Sequence, residues 1–158
     1  MKHGLVLRRR CFASGAIVIA LTPPACAGEA APGPELAPPG AQPLQARGAF
    51  ELALSDCEAV IATLLRPAHG ALSFVRYLLD NSASQEAVTA FYTGRLGPRW
   101  SALDGYPQQQ LGFHLQVWQR RDWLGSKPVL GVAWLDDMLP DAAGQPMRLL
   151  VVVASRSG

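Results

Sequence analysis

Charged side chains are scarce in this 158-residue chain, where they make up 16% of the residues against roughly 25% in an average soluble domain. After residue 30 there is also no apolar stretch as long as the ~20 residues that a membrane span needs. A Walker loop, a G-x-G-x-x-G dinucleotide motif and a G-x-S-x-G nucleophile elbow are all missing. These absences exclude a polytopic membrane protein and argue against nucleotide use and a lipase-type serine site.

The basic residues are concentrated at the N-terminus. Residues 1–27 hold four of the 14 lysines and arginines and no acidic residue, so the rest of the chain has 10 basic and 12 acidic residues. Its formal charge is therefore −2, and no basic cluster stands out in it. A nucleic-acid binder normally shows a basic patch, so we expect no nucleic-acid partner.

The first 27 residues have the pattern of a cleaved export signal. Met1–Arg10 is basic, Cys11–Leu21 is apolar, and Ala25–Ala27 gives the small-x-small pattern that precedes a cleaved bond. We predict cleavage after Ala27, a periplasmic or secreted location, and no membrane span in the mature chain. Arg9–Phe12 resembles the twin-arginine motif, so that route and the general secretory route both remain open.

A proline-rich linker and one domain are expected after the signal. Gly28–Arg47 contains five prolines and no β-branched residue, a composition that favours a disordered linker, with a proline-rich ligand for a partner as the alternative. Residues 48–158 are long enough for a single core. Cys57 is the one cysteine of the mature chain, so no internal disulfide can form. We predict a buried thiol there, with a nucleophile or a disulfide-linked dimer as the rival interpretations.

Hydrophobic periodicity predicts two helices in the domain. Apolar residues recur at helical spacing over Phe50–Leu65, although Ala49–Leu54 also alternates like a strand. A second helix is predicted to begin with capping chemistry at Ser82–Gln85 and to end at Gly97-Pro98. We expect its Phe91 to point into a sheet and to meet Phe113 and Leu115.

The remaining segments alternate like strands or are rich in β-branched residues. Asp136–Pro146 is predicted to be a polar loop between the last two of these strand segments. Consecutive strands with short connections favour antiparallel pairing. The sequence therefore predicts an α+β fold, an antiparallel sheet of about four strands with one or two helices packed on one face. The four predicted strands are Ala71–Leu79, 111–118, Pro128–Leu135 and Met147–Ala154.

The sequence of the second predicted helix resembles part of a known group of domains. The run SASQEAVTAFYTGRLGPRW resembles small exported bacterial domains of unassigned activity, in which a V-x-x-F-Y-x-x-x-L-x-x-x-W helix follows one strand and precedes a meander. The likeness extends over about Pro67–Ala154, and Arg99 stands where those domains place glycine. It implies an exported α+β module and brings no catalytic motif.

Tryptophans are the most distinctive candidates for binding. Trp118, Trp123 and Trp134 lie in or beside two neighbouring predicted strands, with His114 on one of them, and exposed rings there would stack on a sugar or an apolar ligand. The alternative is that these rings fill a small core. His114 falls on the polar side of its strand, where a solvated imidazole is expected.

Groups suited to chemistry are few. His69 or His114 with an aspartate would give a small hydrolase, and with Cys57 they would give three zinc ligands, but no short chelating spacing exists. We assign no catalytic residue, no metal ligand and no cofactor. The sequence favours an exported, non-enzymatic cell-envelope interaction module with an unknown envelope protein or small ligand as partner. A small-ligand or glycan binder and an exported hydrolase are the alternatives.

Overall fold

A computed structural model describes residues 36–44, 49–106, 112–121, 127–141 and 143–155. All of them belong to one compact unit, Ala31–Gly158. The predicted export signal and Trp123 lie outside the described residues. No helix among the described residues is both long and apolar enough to cross a membrane.

The described chain forms one six-stranded sheet and two helices, so the predicted α+β class is confirmed. The sheet order is β1-β2-β6-β5-β4-β3, and every neighbouring pair is antiparallel. The elements are β1 (Gln42–Pro43), α1 (Ala49–His69), β2 (Leu72–Asp80), α2 (Gln85–Arg95), β3 (Trp100–Leu103), β4 (Phe113–Arg120), β5 (Val129–Pro140) and β6 (Pro146–Ser155).

The expected number of about four strands is wrong. The two additional strands are the edge strands β1 and β3, which have only 2 and 4 residues. Segments this short have too few residues to show the alternation of apolar and polar side chains that marks a strand. In addition, β1 lies in a proline-rich stretch whose composition predicts disorder. Pairing with a longer neighbour, rather than local preference, makes them strands.

The two helices lie on opposite faces of the sheet, which corrects the prediction of helices on one face. In β6, Leu149, Val151 and Val153 share a core with α1, whereas Leu150 and Val152 share a core with α2. Successive strand residues point to opposite faces, so the two cores are separate. The continuous apolar run of β6 already has the composition of a strand buried on both sides.

Helix α1 continues beyond its predicted end and is tied to β2. It runs through Pro67 to His69 and stops at Gly70, whose φ is +71°, so the alternative of a strand at Ala49–Leu54 is wrong. Arg76 of β2 donates to Glu58 at 2.6 Å and 3.0 Å and to Glu51 at 3.0 Å. The hydrogen bond with Glu58 raises the pKa of Arg76 above its ordinary value. This clamp fixes α1 over its face of the sheet.

Helix α2 begins later than expected and buries a different aromatic residue. Its N-cap is Ser84, whose hydroxyl accepts a hydrogen bond from Ala87 N at 3.1 Å, while Ser82 hydrogen-bonds to Asp80. Tyr92 is fully buried and Phe91 only partly so. The predicted contact of Phe91 with Phe113 and Leu115 is wrong, because those two residues belong to the core on the α1 face.

The connection between β5 and β6 is shorter than the predicted loop over Asp136–Pro146. Strand β5 extends to Pro140, with an irregular register between Trp134 and Met138. Asp141 closes the turn, since its carboxylate accepts from Ala143 N and Gln145 N, each at 2.8 Å. Asp136 and Asp137 therefore lie within a strand, and Asp141 has a structural contact in the turn.

Candidate functional site

Two tryptophans of the predicted binding surface, Trp118 and Trp134, lie inside the core on the α2 face. Trp118 is 3% exposed and Trp134 is 6% exposed. Trp118 packs 6.1 Å from the ring of Tyr92, and the guanidinium of Arg148 lies 5.1 Å from the ring of Trp134. In this conformation neither ring presents an open face to a sugar or an apolar ligand.

His114 meets a carboxylate at one end of the sheet. Its Nε2 lies 3.1 Å from Oδ1 of Asp136, and the histidine side chain is 22% exposed. Across the strand pair, His114 lies opposite Trp134, so the histidine and the tryptophan share the α2 face. An imidazole held by a carboxylate is the arrangement of a general base, and it corrects the expectation of a purely solvated ring.

The two histidines do not converge. Nδ1 of His69 lies 3.0 Å from the carbonyl oxygen of Lys127, just before β5 begins, whereas Asp136 follows Leu135 towards the other end of the strand. At ~3.3 Å per residue the two places are roughly 25–30 Å apart. Among the described residues, no group of three or more His, Cys, Asp or Glu side chains could hold a metal ion.

Cys57 is 4% exposed and lies in the α1 core. Burial raises the pKa of its thiol to about 12, with a smaller contribution from the charge of Glu58. A nucleophilic cysteine needs the opposite shift, because the thiolate is the reactive form. The thiol therefore occupies the core position that the helical spacing predicts.

Residues 36–44 form a surface feature that the composition did not reveal. We call Leu36–Leu44 the strap, because it crosses one side of the domain and touches both cores. Its middle is a turn, in which Ala41 N–H donates to the carbonyl of Pro38 at 3.1 Å and Gly40 has a φ of +77°. Only Gln42–Pro43 forms a strand. Leu36 and Ala41 pack against the core on the α2 face, and Leu44 packs against the core on the α1 face. This part of the predicted disordered linker is therefore bound to the fold.

Backbone pairing holds the C-terminal end of the strap. Leu44 N–H donates to the carbonyl of Arg76 at 2.9 Å, and Pro43 is in register with Tyr77. Hydrogen-bonded pairs alternate along antiparallel strands, so Pro43 falls at a pair that needs no N–H. A proline is tolerated in an edge strand at such a position, which is why the strap can pair despite its prolines.

A buried tyrosine holds the other end of the strap. The hydroxyl of Tyr92 donates to the carbonyl oxygen of Leu36 at 2.7 Å. Burial, and to a lesser extent the neighbouring Tyr77, raises the pKa of Tyr92 above its ordinary value, so this phenol remains a donor. Between the two anchored ends, a cavity of about 260 Å³ is lined by the turn of the strap, by the end of β2 and by α2. Its apolar lining includes Pro38, Pro39, Leu79, Val88 and Phe91.

Comparison with known proteins assigns neither a family nor a function to this chain. The chain matches no family model, no curated protein and no solved structure. The resemblance to small exported bacterial domains therefore stays a prediction.

Proposed function

We propose that this chain is an exported, non-enzymatic module of the cell envelope that binds a proline-rich polypeptide segment along the outer edge of β2. The basic, apolar and small-x-small pattern of residues 1–27 supports export to the periplasm or the medium. The observation that carries the binding role is the strap itself, which pairs with the β2 edge at Gln42–Pro43, turns at Pro38–Ala41 and reaches Tyr92 of α2. A surface that holds one such segment has the groups needed to hold another.

The chemistry of this surface is that of strand addition. Arg76 offers a carbonyl oxygen at the sheet edge, and Tyr92 offers a hydroxyl at the other end of the bound segment. In strand addition the main-chain bonds give affinity and side-chain pockets give selectivity. Here the apolar cavity beside Leu79, Val88 and Phe91 is the pocket. The preferred ligand is therefore apolar and proline-containing, with a short strand that pairs with β2.

A synthetic peptide with the sequence of residues 36–44 tests the binding role. The receptor is the mature chain in which residues 36–44 are replaced by glycine and serine, checked for folding by circular dichroism. We expect saturable binding of the peptide, measured by changes in tryptophan fluorescence or in NMR amide shifts at β2. A matched peptide N-methylated at the position of Leu44 lacks the donor to Arg76 and should bind at least about tenfold more weakly, since it loses a main-chain hydrogen bond and gains a clash at the edge.

Equal binding of the two peptides would show that the β2 edge is not used. No binding of either peptide to the folded receptor would overturn the proposed function, because the surface would then hold its strap only as part of the intact chain.

A hydrolase is the second candidate, and the 3.1 Å contact between His114 and Asp136 favours it. In that case the imidazole takes a proton from a water or hydroxyl nucleophile and Asp136 holds the ring in place. Purified mature protein is assayed on ester, amide and glycoside substrates. An activity that His114→Gln abolishes, while His69→Gln leaves it unchanged, would replace the non-enzymatic proposal.

A further inference from the structure

The strap is held by a short strand pairing, by hydrogen bonds at its two ends and by apolar contacts with both cores. Its paired residues, Gln42 and Pro43, are both exposed, and they meet only two of the nine residues of β2. Two further hydrogen bonds anchor it, one at Leu36 and one at Leu44. In its middle part Pro38 is buried, and a cavity of about 260 Å³ lies beside it against α2. If the strap left its seat, the parts of both cores that Leu36, Ala41 and Leu44 cover would be exposed, so an empty seat favours the docking of an equivalent segment.

The composition of the strap suits repeated binding. It has three prolines and no charged residue in its sequence LAPPGAQPL. Prolines restrict the backbone before binding, so less conformational entropy is lost when the segment docks. Since no charge is present, docking does not depend on an oppositely charged surface, and salt should affect it little.

We propose that the partner at the β2 edge is the strap of a second copy of this chain. The inference rests on the proposed function and names its ligand. The one segment whose fit to this surface is seen is the chain's own, and a second copy presents the same segment and the same surface. Reciprocal exchange gives a two-fold dimer in which each strap keeps the contacts at Arg76 and Tyr92.

The exchange competes with docking inside one chain. A tethered segment has an effective concentration in the millimolar range, so the monomer dominates in dilute solution. Exchange becomes appreciable as the protein concentration approaches about 1 mM, or where copies are crowded together. The expected behaviour is a minor, concentration-dependent and salt-insensitive dimer.

Cysteine pairing in the full mature chain tests the exchange. All variants carry Cys57→Ala, which removes the remaining thiol. One protein carries Gln42→Cys and the other Leu78→Cys, the residues that face each other in register across β1 and β2. Opposed Cα atoms in such pairs are about 4.5–5.5 Å apart, within the disulfide range of about 4.4–6.8 Å. The control protein carries Thr93→Cys on the exposed surface of α2.

At about 1 mM protein and mild oxidation, we expect the mixed disulfide between positions 42 and 78 to form at least about tenfold faster than the one between 42 and 93. The difference should persist in high salt. Equal rates for the two pairs overturn the inference, because position 93 reports random collisions.

A doubly substituted chain with Gln42→Cys and Leu78→Cys separates the two levels of failure. At high dilution it should form the disulfide within one chain. If it does, and the peptide of residues 36–44 binds, then equal rates for the two mixed pairs mean that the partner is not a second copy. If the disulfide does not form within one chain, the strap is not seated on β2 and the proposed function fails as well.

Discussion

Gly131 lies in the centre of the sheet, where β5 passes beneath α1. A Cβ at this position would stand 2.7 Å from Cγ1 of Val153 and within 3.7 Å of a methyl group of Leu65. Gly131→Ala should therefore lower the free energy of unfolding by about 1–3 kcal/mol through overpacking. Chemical denaturation measures the change.

Val153→Ala is the matched second substitution, because it removes the methyl group that the new Cβ would meet. The chain with both substitutions should be more stable than the sum of the two single effects predicts. Additive effects would mean that the backbone shifts freely and that the close approach is not a constraint.

Cys57 gives a pH dependence whose sign follows from its surroundings. Its pKa is raised from 9.0 to about 12 in the folded chain. The stabilising contribution is therefore complete below pH 9 and is lost as the pH rises towards 12, since only the unfolded thiol ionises in that window. The loss is about 1.4 kcal/mol per pH unit for one such group.

Urea denaturation at several alkaline pH values, compared between the wild type and Cys57→Ala, isolates this contribution. Tyr92 and the other titrating groups are present in both proteins, so the difference belongs to Cys57. A native thiol that reacts with a labelling reagent as fast as the unfolded one, or equal alkaline destabilisation of the two proteins, would contradict the buried thiol.

At the scale of the elements, α2 is held to the sheet through one of two neighbouring aromatic residues. Tyr92 is fully buried, whereas Phe91 is partly exposed beside the strap, with Arg95 over its ring. Tyr92→Ala should cost about 3–5 kcal/mol, the usual range for removing a buried aromatic side chain. Phe91→Ala is the matched control and should cost clearly less in the same denaturation experiment.

Tyr92→Phe separates the hydroxyl from the ring. It removes the hydrogen bond to Leu36 and should cost about 1 kcal/mol. A larger effect of Phe91→Ala than of Tyr92→Ala would mean that α2 is rotated on the sheet, so that Phe91 rather than Tyr92 fills the core on the α2 face.

At the scale of the whole molecule, the export prediction concerns the N-terminus of the mature chain. Mass spectrometry of protein recovered outside the cytoplasm should find Gly28 as the first residue, because the small residues at Ala25 and Ala27 fit the peptidase. Joint Arg9→Lys and Arg10→Lys substitution distinguishes the routes, since it should block twin-arginine export and leave the general route working. Recovery of exported protein that still begins at Met1 would contradict cleavage.

The sequence by itself determined the α+β class, the two helices, the four longer strands and the buried position of Cys57, because each depends on hydrophobic spacing within one segment. It could not predict how many strands the sheet has, since β1 and β3 are strands only through pairing with β2 and β4. Nor could it find the contact between His114 and Asp136, whose residues lie on different strands.

The face that each helix covers depends on long-range packing. Alternation shows that Leu149 and Leu150 point to opposite sides, but not that α1 covers one side and α2 the other. For the same reason the sequence did not show that Trp118 and Trp134 are buried, because the burial depends on α2 covering their face of the sheet. The strap is bound to the fold, although its composition predicts disorder, because Arg76 and Tyr92 supply its backbone with hydrogen-bond partners. These two residues are distant from the strap in sequence.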